Sequence, residues 1–292
     1  MTLNKSTNKT AALAGCIQAI MAISLVASAQ SQCVMSSSFN STESTRFSCL
    51  NPLKLPNITK FKIALCQLSV TLEKQRNLAH ALHTIEIAVE QGAKLVVLPV
   101  RMWNYPHSND NFSKYAEDFD DEDASPSFSM LSQVASNQGI TIVGGSVPEW
   151  NNGLLYNSCC VFGPDGKLRA KHRKIHLVDV DIPGDILFKD SDTLAAGNTP
   201  TIVDTDVGSI GIGICHDIRF PELAMLYGAR GAHLICYPGA FNMSTGELLL
   251  ELVQRARQEA SIVSQATPLA PHLEILLAAI RYGVILLLLD RY

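Results

Sequence analysis

Long runs of one charge are missing from this chain. Lys and Arg together number 23 against 27 Asp and Glu, a formal net charge of -4, and only 17% of the 292 residues are charged. With no basic stripe, the sequence carries no electrostatic footprint for nucleic acid. Also missing is any Cys-x-x-Cys pair among the eight cysteines, Cys16, Cys33, Cys49, Cys66, Cys159, Cys160, Cys215 and Cys236. A chain this long buries a large core without staples, so a disulfide framework is a poor reading. Reduced thiols in an intracellular or stromal compartment are expected instead. His80 and His83 fall on one helix face, but no Cys or His follows at ligand spacing, which reads as a solvated face rather than a zinc site. No metal is expected. Nor is there an internal repeat.

Acidic residues are absent before Glu43, and arginine is scarce there. Residues 1–59 are rich in Ser, Thr, Ala and Asn. Ala11–Ala29 is apolar, follows Lys5 and Lys9, and ends in Ala27-Ser28-Ala29. That pattern resembles a secretory signal, while the lack of acids and the serine content also suit an organelle transit peptide. A chloroplast or mitochondrial address is expected, with the cytosol as alternative and the secretory route less favoured. The segment is therefore set aside from the fold.

From Phe61 the chain becomes regular. Phe61–Leu68 predicts a strand. Glu73–Gln91 predicts a helix with Leu78, Ala81, Leu82, Ile85 and Val89 on one face and Gly92 as its stop. Lys94–Pro99 is a short apolar strand, and Ser127–Gln138 is helical. Ile140–Ser146 and Tyr156–Phe162 predict strands, with a turn at Pro164-Asp165-Gly166. Adjacent Cys159 and Cys160 then point to opposite faces. Ser209–Cys215 and His233–Pro238 predict further strands, and Pro221–Arg230 and Leu248–Arg257 helices. Strands alternating with helices define an α/β layered fold. Near the end, Leu273–Leu289 is very apolar but contains Glu274 and Arg281. It reads as a buried or poorly specified helix, and no stable membrane span is expected.

Four segments could carry chemistry. Ile210-Gly-Ile-Gly-Ile-Cys-His-Asp217 reads as a buried strand ending at Cys215, with Arg219-Phe220-Pro221-Glu222 opening a helix. A cysteine at such a turn stands clear of the sheet, and backbone N–H groups there, that of His216 first, face a developing oxyanion. A helix terminus also favours the thiolate. The bland reading is a structural cysteine buried at a strand end. Lys171-His-Arg-Lys174-Ile-His176-Leu177 is the second segment. Such a run is usually a solvated face, but a lysine held in a cleft stabilises an oxyanion as a point charge. The others are the strand Lys94–Pro99 with Val100-Arg101-Met102-Trp103-Asn104, and Cys236-Tyr-Pro-Gly-Ala-Phe-Asn242.

In this order, Gly-Ala-Lys-Leu-Val-Val-Leu-Pro, His-Arg-Lys-Ile-His-Leu, Gly-Ile-Gly-Ile-Cys-His-Asp-Ile-Arg-Phe and Tyr-Pro-Gly-Ala-Phe-Asn resemble the nitrilase superfamily of carbon–nitrogen hydrolases. Within it the chain most resembles the omega-amidases, plant ones above all. The resemblance runs from Phe61 to Arg257. It implies an α-β-β-α sandwich and a Glu-Lys-Cys triad, with Cys215 as nucleophile and Lys174 on the oxyanion side. It also implies a small-molecule amide substrate such as 2-oxoglutaramate or 2-oxosuccinamate, no metal or organic cofactor, and a homodimer.

The family's glutamate base directly follows the Leu-Pro that closes the second strand. Here Val100 and Arg101 follow Pro99, so the base is missing, and Arg101 cannot deprotonate at useful pH. His216 stands where the most similar relatives carry tyrosine, and its imidazole is a candidate substitute base. The resemblance stops at Arg257. The expected organisation is an extension at 1–59, a hydrolase domain at 60–257, incomplete at its C-terminus, and a divergent tail at 258–292. A catalytically impaired relative, acting as a binding or partner subunit, is the alternative to an active hydrolase.

Overall fold

A computed structural model describes residues 61–240 apart from Ser69, 101–109, Glu122 and 184–185, with Val253, Ala256 and the backbone of Ile20–Ser24 and Val284–Leu288. The strands are β1 (Ile20–Ser24), β2 (Lys62–Cys66), β3 (Ala93–Val97), β4 (Thr141–Val143), β5 (Val147–Asn151), β6 (Leu154–Phe162), β7 (Leu168–Arg173), β8 (Asp179–Ile182), β9 (Ile186–Lys189), β10 (Thr201–Thr205), β11 (Gly208–Ile212), β12 (Leu234–Pro238) and β13 (Val284–Leu288). The helices are α1 (Lys74–Glu90), α2 (Asp110–Tyr115), α3 (Pro126–Gln138) and α4 (Pro221–Ala229), with 3-10 turns at Asp190–Asp192 and Cys215–Arg219.

One sheet runs β1-β2-β3-β4-β6-β5, with β7 added along β6. A second runs β10-β11-β12-β13, and β8 and β9 form a separate hairpin. Alternation along each strand sorts the side chains into layers. Ile63, Leu65, Leu95, Val97, Cys159 and Val161 of the first sheet pack against Ile210, Ile212, Leu234 and Cys236 of the second. Their neighbours Ala64, Cys66, Val96 and Cys160 face outward onto Leu78, Ile85 and Ala88 of α1 and Leu131, Val134 and Ala135 of α3. On the far side Ile235 and Tyr237 meet Leu223, Ala224 and Tyr227 of α4. The layers are therefore α-β-β-α, as expected, and Cys159 and Cys160 do point to opposite faces.

Three expectations need correction. Within Leu273–Leu289, Val284–Leu288 forms a strand, antiparallel to β12 in the register Leu234↔Leu288. The edge of β12 offers unpaired backbone groups, and a ladder satisfies them where an isolated helix would not. The rest of that segment, with Glu274 and Arg281, lies outside the described residues, as does nearly all of Leu248–Arg257. The N-terminal segment also contributes to the fold, since Ile20–Ser24 pairs antiparallel with β2 at that sheet's edge. Finally, β11 ends at Ile212 rather than at Cys215. Among the described residues, no helix is long and apolar enough to cross a membrane.

The glycines before Cys215 have a packing reason. A Cβ on Gly211 would come within 2.8 Å of the Tyr227 ring, and one on Gly213 within 2.3 Å of the Tyr237 ring. Both tyrosines are fully buried. Tyr227 donates to the Ile212 carbonyl at 2.5 Å and accepts from the Thr201 N–H at 3.1 Å, tying β11 to β10. Gly213→Ala forces the Tyr237 ring aside in a closed core and is expected to lower stability by about 1–3 kcal/mol. Urea unfolding of the pair of proteins measures this, and an unchanged midpoint would contradict the packing account.

Candidate active site

Cys215 follows the Gly213-Ile214 step out of β11 and opens the 3-10 turn Cys215–Arg219. Its φ is +47°, and Asn152, in a hairpin turn beside Gly153, is the other non-glycine at positive φ among the described residues. A residue with a Cβ held there is strained and persists only when its surroundings fix it. The reversal lifts the side chain off the sheet, and Cys215 is partly exposed while Cys66, Cys159, Cys160 and Cys236 are buried.

Lys174 lies just past β7 and is not on a solvated face. Its side chain is 3% exposed, and its Nζ donates to Asp190 Oδ2 at 2.5 Å. That oxygen also accepts from the Val178 N–H at 3.0 Å, while Asp190 Oδ1 is buried without a hydrogen-bond partner among the described residues. The rest of the cationic run is engaged too. Lys171 and Arg173 both pair with the buried carboxylate of Glu149, which also accepts from Ser158.

The lysine segment meets the cysteine turn at Asp217. Its Oδ1 accepts from the His176 N–H at 2.9 Å and from His176 Nδ1 at 2.7 Å. Its Oδ2 accepts from the Ile214 N–H at 2.8 Å and from His172 Nε2 at 3.3 Å. Burial alone would raise this carboxyl, but the hydrogen bonds from His172 and His176 prevail and hold it well below the usual carboxylate range. The two ring nitrogens facing an ionised Asp217 must therefore carry their protons.

His216 is half-buried, its ring edge-on to Phe220. Burial lowers the affinity of its imidazole for a proton, and the cations of Lys174 and Arg219 lower it further. The Lys174 charge is thus felt beside Cys215. Val100 is 5% exposed in the core between the sheets and forms a bridge with Ser146, whose buried hydroxyl has no hydrogen-bond partner among the described residues. Arg101 lies outside the described residues. The structure therefore gathers Lys174, His216 and the Cys215 turn, and it sets an apolar side chain at position 100. Asp190 and Asp217 were not among the expected site residues. Cys-His-Asp217 adjacency was a local signal for one, whereas no pattern in the sequence links Asp190 to Lys174.

Residues 62–261 match the carbon–nitrogen hydrolase family, and the chain belongs to it. It is similar to the omega-amidases in particular. It is 64% identical over 224 residues to a protein of Arabidopsis thaliana named chloroplastic omega-amidase, covering 76% of this chain and 60% of that one. Against omega-amidase NIT2 of Homo sapiens it is 46% identical over 210 residues, covering 72% of this chain and 74% of that one. Among solved structures, Saccharomyces cerevisiae Nit3, a member of branch 10 of the nitrilase superfamily, aligns with TM-score 0.60 and 39% identity over 70% of this chain and 74% of that chain.

The four other core thiols are disfavoured as nucleophiles. Burial pushes Cys66 up to about 12 and raises Cys159, Cys160 and Cys236 as well. Limiting iodoacetamide on the native protein is expected to modify Cys215 ahead of these four. Peptide mapping reads the order, and an adduct first at Cys66 or Cys236 would count against Cys215.

Proposed function

We propose that this chain is an amide hydrolase of the omega-amidase kind, with Cys215 as nucleophile and Lys174 as the cation that faces the oxyanion. The observation that carries this reading is the partly exposed Cys215 at left-handed φ, its turn joined to the segment that holds the buried Lys174–Asp190 pair. The thiolate attacks the amide carbon, and negative charge collects on the former carbonyl oxygen. The Lys174 charge and the His216 N–H stabilise that oxygen. The C–N bond then breaks, the nitrogen takes up the proton that the thiol gave up to solvent water and leaves as ammonia, and water hydrolyses the thioester to the acid and free thiol. A buried lysine bonded to a buried carboxylate is fixed in place, so little reorganisation accompanies the reaction.

The substrates proposed are 2-oxoglutaramate and 2-oxosuccinamate, in keeping with the omega-amidases that the chain resembles. The proposed organisation is a hydrolase core at 60–257 between an extension at 1–59 and a tail at 258–292. Ile20–Ser24 and Val284–Leu288 of those flanks supply one strand to each sheet. A homodimer and a plastid location complete the proposal. The Arabidopsis relative is named chloroplastic, and the acid-free N-terminal stretch fits a transit peptide. A non-catalytic binding subunit is the less favoured reading, since the Arabidopsis and human relatives, at 64% and 46% identity, are named omega-amidases.

The missing glutamate bears on rate. Removing a positioned general base costs roughly 10²–10⁴-fold. A glutamate at position 100 would enter beside the unpartnered hydroxyl of Ser146. Replacing Val100-Arg101 with a single glutamate is therefore expected to raise ammonia release from 2-oxoglutaramate by at least about 100-fold. Arg101→Glu alone should recover less, because the extra residue displaces the carboxylate by up to about 3.5 Å. Equal, appreciable turnover by all three proteins would mean that another base, such as His216, serves Cys215. No ammonia from any of them would sink the hydrolase reading.

A further inference from the structure

We propose that Asp217 is a positioning residue that sets the Cys215 turn against the Lys174 segment, an inference that rests on the amidase reading above. Its side chain is fully buried, and its four donors come from two separate stretches of chain. His172 and His176 stand two residues before and two residues after Lys174, so one carboxylate grips the lysine segment on both sides. Its remaining bond goes to the N–H of Ile214, the residue before Cys215.

The two stretches belong to different sheets. Lys174 follows β7, which pairs with β6 of the first sheet. Cys215 follows β11 of the second. Packing of apolar side chains fixes the spacing of two sheets but leaves sliding between them weakly determined. A carboxylate with donors from both sides fixes that slide through directional bonds. The same group supports the strained residue. Oδ2 bonds Ile214 N–H while the Asp217 N–H bonds the Ile214 carbonyl at 3.0 Å, which closes the turn around Cys215. The Phe220 N–H bonds the Asp217 carbonyl at 3.2 Å, and the Phe220 ring stacks on His176 at 3.6 Å, so the far end of the turn is held to the lysine segment too.

Asp217 is not the proton acceptor in this scheme. Both oxygens are filled by donors, and neither faces an open site. Its contribution is geometric, and it is realised in the transition state, where sulfur, carbonyl carbon and lysine charge must coincide. A misplacement of about 1 Å there costs on the order of 100-fold in rate. Loss of such an interaction lowers kcat and leaves KM nearly unchanged.

The test uses Asp217→Asn, His176→Ala and His176→Asn in the full chain. Asparagine places an amide nitrogen where Nδ1 of histidine stands, so His176→Asn keeps the donor and His176→Ala removes it. Two readouts are taken: kcat and KM for ammonia release in the background with the single glutamate, and the second-order rate of iodoacetamide at Cys215 in the unaltered background. Asp217→Asn and His176→Ala are expected to lower kcat about 100-fold at similar KM and to slow labelling, and His176→Asn to restore most of both. Glu149→Gln, which breaks a different buried carboxylate network, should lower the melting temperature and leave labelling alone. The proposal is overturned if His176→Asn does no better than His176→Ala, if Asp217→Asn keeps the parental kcat and labelling rate, or if Glu149→Gln slows labelling equally. Should Asp217→Asn fail to fold, the two His176 variants decide, since that side chain is partly exposed. Absence of ammonia in every protein overturns the amidase reading alone, and the labelling rates still judge the positioning role.

Discussion

A buried carboxylate joins the two sheets at the place where the proposed nucleophile and the proposed oxyanion cation leave them. Asp217 has no access to solvent, and its charge is tolerable only because four donors meet it. Those donors constrain sequence on both sides. Histidines must flank Lys174, and the residue before Cys215 must present its N–H inward. The Cys215 backbone at +47° would relax toward an ordinary conformation without such a clamp. Glycines at 211 and 213 belong to the same constraint, since Tyr227 of α4 and Tyr237 of β12 occupy the space their side chains would need.

The layered core was legible because it obeys a period of two. Ile63/Leu65 against Ala64/Cys66, and Leu234/Cys236 against Ile235/Tyr237, separate into inter-sheet and sheet–helix layers as alternation requires. Strands with polar faces were not legible. The sequence reading placed no strand at β5, Val-Pro-Glu-Trp-Asn, or at β7, Leu-Arg-Ala-Lys-His-Arg. Their charged side chains meet across the sheet, where Lys171 and Arg173 reach Glu149. A cation run looks solvated until its carboxylate is located, and that partner lies 22 and 24 residues away. The strands at Ile20–Ser24 and Val284–Leu288 escaped for another reason. Each gains its strand state from an open sheet edge, which local composition does not report.

At the site, the residue types that announce chemistry were readable and the residues that hold them were not. Cys215 and Lys174 sit in recognisable local patterns. Asp190 pairs with Lys174 across 16 residues and a hairpin, and nothing near Asp190 in sequence signals the partnership. Apolar alternation also carries the strand three residues past its observed end at Ile212. The Gly213-Ile214 step continues the apolar alternation of β11, but the Ile214 N–H has left the ladder for Asp217. Periodicity persists there while backbone pairing has already changed, which is a general hazard at a strand-to-helix turn that carries a nucleophile.

On the proposed reading, position 100 is where the demands of stability and catalysis come apart. An ionised carboxylate between two sheets carries a desolvation cost that its partners must offset. A valine at that point carries none and adds to the inter-sheet core, where it is 5% exposed. The exchange of a buried carboxylate for an apolar side chain is therefore neutral or favourable for folding. Among the described residues, the polar bonds that hold the candidate site do not involve position 100. Lys174 is held by Asp190, and the Cys215 turn by Asp217. The scaffold consequently has no folding reason to retain a base at that position. On the proposed mechanism only selection on turnover would retain it, so a chain with valine there can keep the proposed nucleophile and lysine in place while its proton transfer is slow.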